Sequence, residues 1–249
     1  MSQLTAIALF ISSLSLLSFS SLAAEPPADN GEFSGDAKVG FIYTKTDETS
    51  MSVNSGLTLK YEEALWHHKV AFSTYYTKGN ESDDGTNKNK TVYDVKYDMT
   101  DTFFVFGNAK YEHDQFATYR EQALLVSGFG ATLVDSSNSK LDVGAGPGYR
   151  YSKRQAFDED LPNNSEDEVI ANLFIEGDSK ITDGLELGGG VRMDYGESNT
   201  TTTTHVYLKN KLMESLSLLI DAEYIYNSVV ATGKEHDEIY STISLNYDF

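Results

Sequence analysis

The sequence predicts an all-β fold: an antiparallel transmembrane β-barrel of about twelve strands, with both termini periplasmic. Three observations predict it. Apolar and polar residues alternate at period two along most of the chain, which sends them to opposite faces of a strand. The connections between alternating segments are short and long by turns, as in barrels with short periplasmic turns and longer outer loops. Tyrosines gather near the ends of the apolar faces, where an amphipathic ring suits the headgroup layer.

The chain opens with an apolar run from Ile7 to Leu22, broken by serines and ending in Ser21-Leu22-Ala23-Ala24 ahead of Glu25. Residues 1–23 read as a secretory signal peptide cut after Ala23 or Ala24; the alternative is an N-terminal membrane anchor. No Lys or Arg precedes the run, so only the α-amino group is positive there. Residues 24–32 follow as a short periplasmic segment, and 33–249 make the barrel.

Strand one (33–44) sets Phe33, Val39, Phe41 and Tyr43 against Asp36 and Lys38. Strand two (51–61) lines up Met51, Val53, Leu57, Leu59 and Tyr61; strand three (66–77) does so with Trp66, Val70, Phe72 and Tyr76. In strand four (91–99) Tyr93, Val95, Tyr97 and Met99 oppose Asp94, Lys96 and Asp98. Strand five (102–112) places Phe103, Val105, Ala109 and Tyr111 opposite Asn108, Lys110 and Glu112. Strand six (119–134) carries Tyr119, Ala123, Leu125, Phe129 and Leu133, with Leu124 and Val126 breaking its parity. Strand seven (140–151) is sharper, with Leu141, Val143, Ala145, Pro147, Tyr149 and Tyr151 against Asp142 and Arg150.

Strand eight (168–178) alternates Val169, Ala171, Leu173 and Ile175 with Glu168, Asn172, Glu176 and Asp178. Strand nine (185–195) alternates Leu185, Leu187, Val191, Met193 and Tyr195 with Glu186, Arg192 and Asp194. Strand ten (203–212) is thinner, with Val206, Leu208 and Leu212 against His205, Lys209 and Lys211. Strand eleven (216–227) sets Leu216, Leu218, Ile220, Ala222, Tyr224 and Tyr226 against Asp221 and Glu223. Strand twelve (238–249) ends the chain on Ile239, Ile243, Leu245, Tyr247 and Phe249. Each segment is close to the roughly 9–11 residues a tilted strand needs to cross a bilayer.

Between them lie short turns near 62–64, 100–101, 135–139, 181–184 and 213–215. The long connections, polar or acidic, fall near 45–50, 79–90, 113–118, 152–167, 196–202 and 228–237. A soluble β-sandwich has no reason to sort its connections by side.

Charge narrows the function classes. With 38 acids, 19 bases and a net of -19, the chain has no basic patch to meet a phosphate backbone, which excludes nucleic acid as a partner. The absence of cysteine excludes disulfides, thiolate metal sites and a cysteine nucleophile. Strand parity sends ten bases inward: Lys38, Lys60, Lys69, Lys96, Lys110, Arg120, Arg150, Arg192, Lys209 and Lys211. It sends twelve acids inward: Asp36, Asp94, Asp98, Glu112, Asp142, Glu168, Glu176, Asp178, Glu186, Asp194, Asp221 and Glu223. Such near-balance is what cross-strand ion pairing produces. At a backbone radius on the order of 12 Å, long paired side chains favour a narrow or closed interior over a wide aqueous pore.

Motifs that carry chemistry are few. Of the five histidines, only His67 and His68 are close in sequence, and adjacent strand residues point to opposite faces. His113, beside Asp114 where strand five meets its outer loop, is the strongest catalytic candidate, for a lipid-acting or proteolytic enzyme at the rim. No Gly-x-Ser-x-Gly elbow accompanies it, so the sequence assigns no catalytic residue, cofactor or metal ligand. Asp158-Glu159-Asp160 and Glu166-Asp167-Glu168 flank Leu161 to Ser165 in the longest outer loop and supply oxygen ligands for divalent cations, at a spacing that matches no calcium loop. Asp83 to Asn87 is a weaker version, and β-propensity alone explains Thr200 to Thr204.

Several segments taken in order resemble a known family. They are Tyr97-Asp98-Met99-Thr100-Asp101, Phe103 to Gly107, Lys110 to Phe116, Gly144-Ala145-Gly146-Pro147-Gly148-Tyr149-Arg150, Tyr226-Asn227-Ser228 and Leu245 to Phe249. From about residue 35 to 249 the chain resembles the salt-induced outer membrane protein family, a domain of unknown function (481). Lys45 to Ser50 departs from the Ser-Gly-Asn element that family carries after its first strand. The resemblance implies an outer-membrane barrel linked by name to salt stress, and it implies no catalytic residues.

The last strand carries its own signal. A terminal Phe249 preceded by Tyr247, Leu245 and Ile243 on one face is the kind of strand that barrel-assembly machinery engages by strand addition. The expectation is therefore a non-enzymatic barrel in the outer membrane of a Gram-negative bacterium, tied to envelope integrity or ionic stress. Its expected partners are outer-membrane lipids, the assembly machinery and divalent cations at the acidic loops. A narrow small-solute or ion channel is the alternative, and a lipid-modifying rim enzyme stands behind it.

Overall fold

The computed structural model describes residues 31–45, 49–78, 85–115, 119–154, 165–230 and 235–249. They form twelve strands: β1 (Glu32–Lys45), β2 (Thr49–Glu63), β3 (Trp66–Lys78), β4 (Gly85–Asp98), β5 (Phe103–Asp114) and β6 (Tyr119–Asp135). The second half adds β7 (Ser139–Arg154), β8 (Ser165–Thr182), β9 (Leu185–Tyr195), β10 (Thr201–Met213), β11 (Leu216–Asn227) and β12 (Asp237–Asp248). Each strand pairs antiparallel with its sequence neighbour, and β1 pairs with β12 to close the barrel. The signal-peptide reading and the loop acids Asp158, Glu159 and Asp160 lie outside the described residues.

Closure rests on a short seam. Asp36 to Gly40 pair with Asp248 to Ser244, while β1 and β2 pair from Glu32 all the way to Lys45. Below the seam, the Gly35 and Phe249 backbones exchange two hydrogen bonds of 2.8 and 2.9 Å. Since Glu32 is also in register with Glu62, both ends of the barrel chain sit at the rim that carries the short turns.

Alternation has turned the molecule inside out. The outward rows expose large apolar side chains, Phe129 at 69% and Val169 at 75% among them, whereas the inward rows bury Asn54, Asn108, Asn172, Asp194 and Ser244. A water-soluble protein does the reverse. Tyr61, Trp66, Tyr76, Tyr111, Tyr151, Tyr195, Tyr226 and Tyr247 are exposed on the outer surface, as girdle residues would be. Tyr119 is the exception: an irregularity between Tyr119 and Glu121 turns its ring inward, where it is 6% exposed.

Several strands run further than hydropathy suggests at the long-connection end. β4 starts at Gly85, β7 continues to Arg154 and β8 begins at Ser165. A strand that has left an apolar belt no longer needs apolar outward residues, so its sequence reads as loop. Its inward residues still pack, and that is how Lys88, Lys90, Arg154 and Glu166 enter the interior.

One wall of the interior is apolar. Leu124, Val126 and Ile170 form a buried cluster with Phe106 against it, and Phe106 meets Phe104 and Phe174 edge-on. Glycine makes the room. A Cβ at Gly130 would fall inside the Phe104 ring's space, and one at Gly144 inside that of Phe174. The intrusion of Leu124 and Val126 into the strand-six pattern is thus an internal apolar wall.

Candidate functional site

The candidate site is the barrel interior, and its half toward the long connections is filled. Lys88 and Lys90 project from β4, Glu112 from β5, Glu223 from β11 and Tyr240 from β12. Lys90 Nζ lies 3.1 Å from Glu223 Oε2; Lys88 Nζ lies 3.1 Å from Glu112 Oε1 and 3.9 Å from Glu223 Oε1. Between β4 and β11 stand β3, β2, β1 and β12, so the two contacts to Glu223 reach across the lumen, whereas Lys88 and Glu112 pair between neighbouring strands. Lys88 also sits 4.4 Å above the Tyr240 ring, whose hydroxyl donates to Glu238 at 2.8 Å. Tyr75 packs edge-on against Tyr240. Removed from bulk water, such pairs are screened less than surface ones.

Nearer that rim the connection from 196 to 200 folds inward and is held by buried arginine. Arg150 pairs with Glu168 at 2.5 Å and donates to the Asn199 carbonyl and to Thr201 Oγ1. Glu168 in turn accepts from the Ser198 backbone N–H and hydroxyl. The Asn199 side chain donates to Asn227 and accepts from the Val229 N–H, tying two connections together. Arg154 pairs with Glu166 at 2.6 Å over the Tyr119 ring. Buried charges persist only when paired and hydrogen-bonded, and here they are.

Toward the short turns the interior opens. A cavity of about 260 Å³ is lined by Lys60, Lys69, Asp94, Lys96, Asp142 and Arg192, with Phe104, Phe106 and Phe174 on its apolar side. Lys69 pairs with Asp94 at 3.2 Å, and Lys96 with Asp98 at 3.2 Å and Asp142 at 3.6 Å. Beyond the cavity lining, Lys38 pairs with Asp221 and Lys209 with Asp248.

Much of the inward set foreseen from parity meets in these clusters: Lys38, Lys69, Lys96, Arg150, Lys209, Asp94, Asp98, Glu112, Asp142, Glu168, Asp221 and Glu223 all form interior ion pairs. Lys88, Lys90, Arg154 and Glu166 were missed, because the strand ends carrying them look like loop. Phe104, Phe106, Ile170 and Phe174 were missed because inward apolar residues weaken a period-two signal. The five-residue glycine-rich run from Gly144 to Gly148 was the available hint.

The histidines separate as adjacent strand residues must. His67 faces in, 2.7 Å from Asp98, while His68 faces out and stacks on Trp66 and Tyr93. His113 is corrected: it lies within β5, in register with Asn89 and Glu121, and points outward, whereas Asp114 is buried inside at 2% exposure. The two cannot act as a pair. Among the described residues no group of three or more His, Cys, Asp or Glu is placed to hold a metal ion. The described half of the longest loop's acids is divided between faces, Glu166 and Glu168 going to inward arginines and Asp167 accepting from the outward Tyr149 hydroxyl. Tyr247 and Phe249 stack at the outer surface, and the Phe249 ring occupies the space a Cβ on Gly35 would need.

The chain belongs to the family described as "Protein of unknown function, DUF481", whose profile matches residues 37–249. A curated relative, the uncharacterized protein YdiY of Escherichia coli (strain K12), is 23% identical over 231 residues, covering 90% of this chain and 86% of its own. Among solved structures, the KdgM porin in complex with disordered oligogalacturonate has a similar chain course at 12% identity and a TM-score of 0.46, over 87% of this chain and 99% of that one. The NanC porin compares at 12% identity and 0.47, over 86% and 97%. The translocator domain of the autotransporter NalP from Neisseria meningitidis compares at 13% and 0.45, over 98% and 97%.

Proposed function

We propose that this DUF481 chain is a non-enzymatic integral barrel of the Gram-negative outer membrane whose lumen is latched shut, and that it serves envelope integrity under ionic stress. Membrane insertion is supported by the exposed apolar exterior wrapped around a polar interior. One observation carries the latch: the ion pair between Lys90 and Glu223 joins opposite walls of the barrel. Both side chains keep only 24% of their exposure, so added salt weakens this contact less than it would a surface pair. The Debye length falls from about 30 Å at 0.01 M to about 8 Å at 0.15 M. Ionic strength acts instead on the acidic outer connections, whose mutual repulsion is screened as that length shortens, without catalysis.

In this reading the rim with the short turns is periplasmic, and the assembly machinery meets the last strand at Tyr247 and Phe249. Outer-membrane lipids cover the apolar rows, and the acidic outer loops gather divalent cations. A narrow small-solute channel is the second reading, favoured by the open cavity of about 260 Å³.

Planar-bilayer conductance of the purified barrel separates the two. The native barrel is expected to pass little current at low salt, and the Lys90→Met, Glu223→Gln double variant to conduct at least severalfold more. Large, stable conductance of the native barrel at low salt, unchanged in the double variant, would establish the channel and remove the latch.

A further inference from the structure

The two halves of the lumen differ in what their charges do. In the filled half Lys88, Arg150 and Arg154 are nearly sealed and each meets a carboxylate. In the open half the Lys69 and Lys140 side chains keep 48% and 46% exposure, so solvent enters from the rim with the short turns.

Two cations lining that open cavity form no ion pair among the described residues. Lys60 stands directly across β2 and β3 from Lys69, whose charge is already matched by Asp94. Arg192 lies over the Phe174 ring at 5.0 Å, and its Nη1 is buried without a hydrogen-bond acceptor. Arg192 thus stands in the cavity wall as a cation without a carboxylate partner of its own among the described residues. Of the lining carboxylates, Asp94 pairs with Lys69, Asp142 with Lys96 and Lys140 through one oxygen, and Glu62 lies beside His67, while Glu176 lines the same cavity as a further acceptor. Beside Arg192 and Glu176 lies the aromatic wall of Phe104, Phe106 and Phe174, held in place by the glycines behind it.

We propose that this vestibule binds a small, flat carboxylate monoanion. Arg192 donates to the carboxylate in the planar fork suited to it, and the apolar face of the ligand lies on the phenylalanine wall. Glu176 takes a hydrogen bond from a ligand hydroxyl and disfavours a dianion. At about 260 Å³ the cavity lies below the 300–1,000 Å³ usual for drug-sized ligands, which limits the occupant to roughly a single ring. The inference rests on the sealed outer half and not on membrane location, and binding is read separately from current.

Isothermal titration of the full refolded barrel in detergent micelles tests it, with 4-hydroxybenzoate, acetate and phenol as probes. Saturable single-site binding is expected for 4-hydroxybenzoate, with acetate and phenol each at least tenfold weaker. Arg192→Gln and Phe174→Ala should each weaken 4-hydroxybenzoate at least tenfold, while Lys209→Gln, which breaks an ion pair outside the cavity, should leave it unchanged. Heat-modifiable gel mobility reports that each variant is folded; if Arg192→Gln is not, Arg192→Lys keeps the charge, loses the fork, and should bind at least threefold more weakly. No saturable binding by the native barrel overturns the proposal. So does acetate or phenol matching 4-hydroxybenzoate, or an unchanged affinity in the folded Arg192 variant.

Discussion

Arg150 enters the lumen from β7 and is 4% exposed, yet its donors reach Glu168, Thr201 and the Asn199 carbonyl. Truncating it leaves the Glu168 carboxylate buried with only Ser198 as donor. Arg150→Ala should therefore destabilise the barrel by about 3 kcal/mol, because removing one partner strands the other charge. Replacing both, as Arg150→Met with Glu168→Leu, should cost much less. Urea unfolding in lipid vesicles measures the difference; equal losses for the single and double variants would contradict it. At this scale the sequence showed which residues carry charge and which way most of them point. It did not show partners, since Lys90 and Glu223 lie 133 positions apart and meet only when the barrel closes. Nor did it show the Phe104, Phe106 and Phe174 wall, because an apolar residue on the polar face reads as a lapse in parity.

The seam between β1 and β12 is short, and Phe249 contributes to it twice. Its backbone exchanges two hydrogen bonds with Gly35, and its ring lies on the face Gly35 leaves bare. Deleting Phe249 should lower the yield of heat-modifiable folded protein more than deleting any one long connection, as read on unheated gels of outer membranes. Unchanged folded protein in the truncation would count against that. The strands were legible because the apolar belt imposes period two on their middle sections; β9 and β11 match their expected limits, 185–195 and 216–227. The ends of β4, β7 and β8 were not, since above the belt only the inward face is constrained and the outward face is free to be polar. Local irregularities were also hidden, as at Tyr119, where one extra residue reverses the ring's direction.

For the molecule as a whole, twelve strands with an apolar outside and an ion-paired inside form a barrel in which side chains fill much of one half of the bore. Net charge and strand parity made that architecture readable, while the division into a sealed half and an open half depended on contacts between strands distant in sequence. The chain has no cysteine, so single cysteines can report the environment of each face one position at a time. The direct measurement is labelling of the barrel in bilayers with cysteine placed in turn along β8 at Val169, Ile170, Asn172, Leu173, Phe174 and Ile175. The expected result is that 169, 173 and 175 react with a lipid-phase maleimide and resist a water-soluble one, while 170, 172 and 174 resist the lipid-phase reagent. Equal reaction of both parities with the water-soluble reagent would contradict a lipid-facing exterior around a packed lumen.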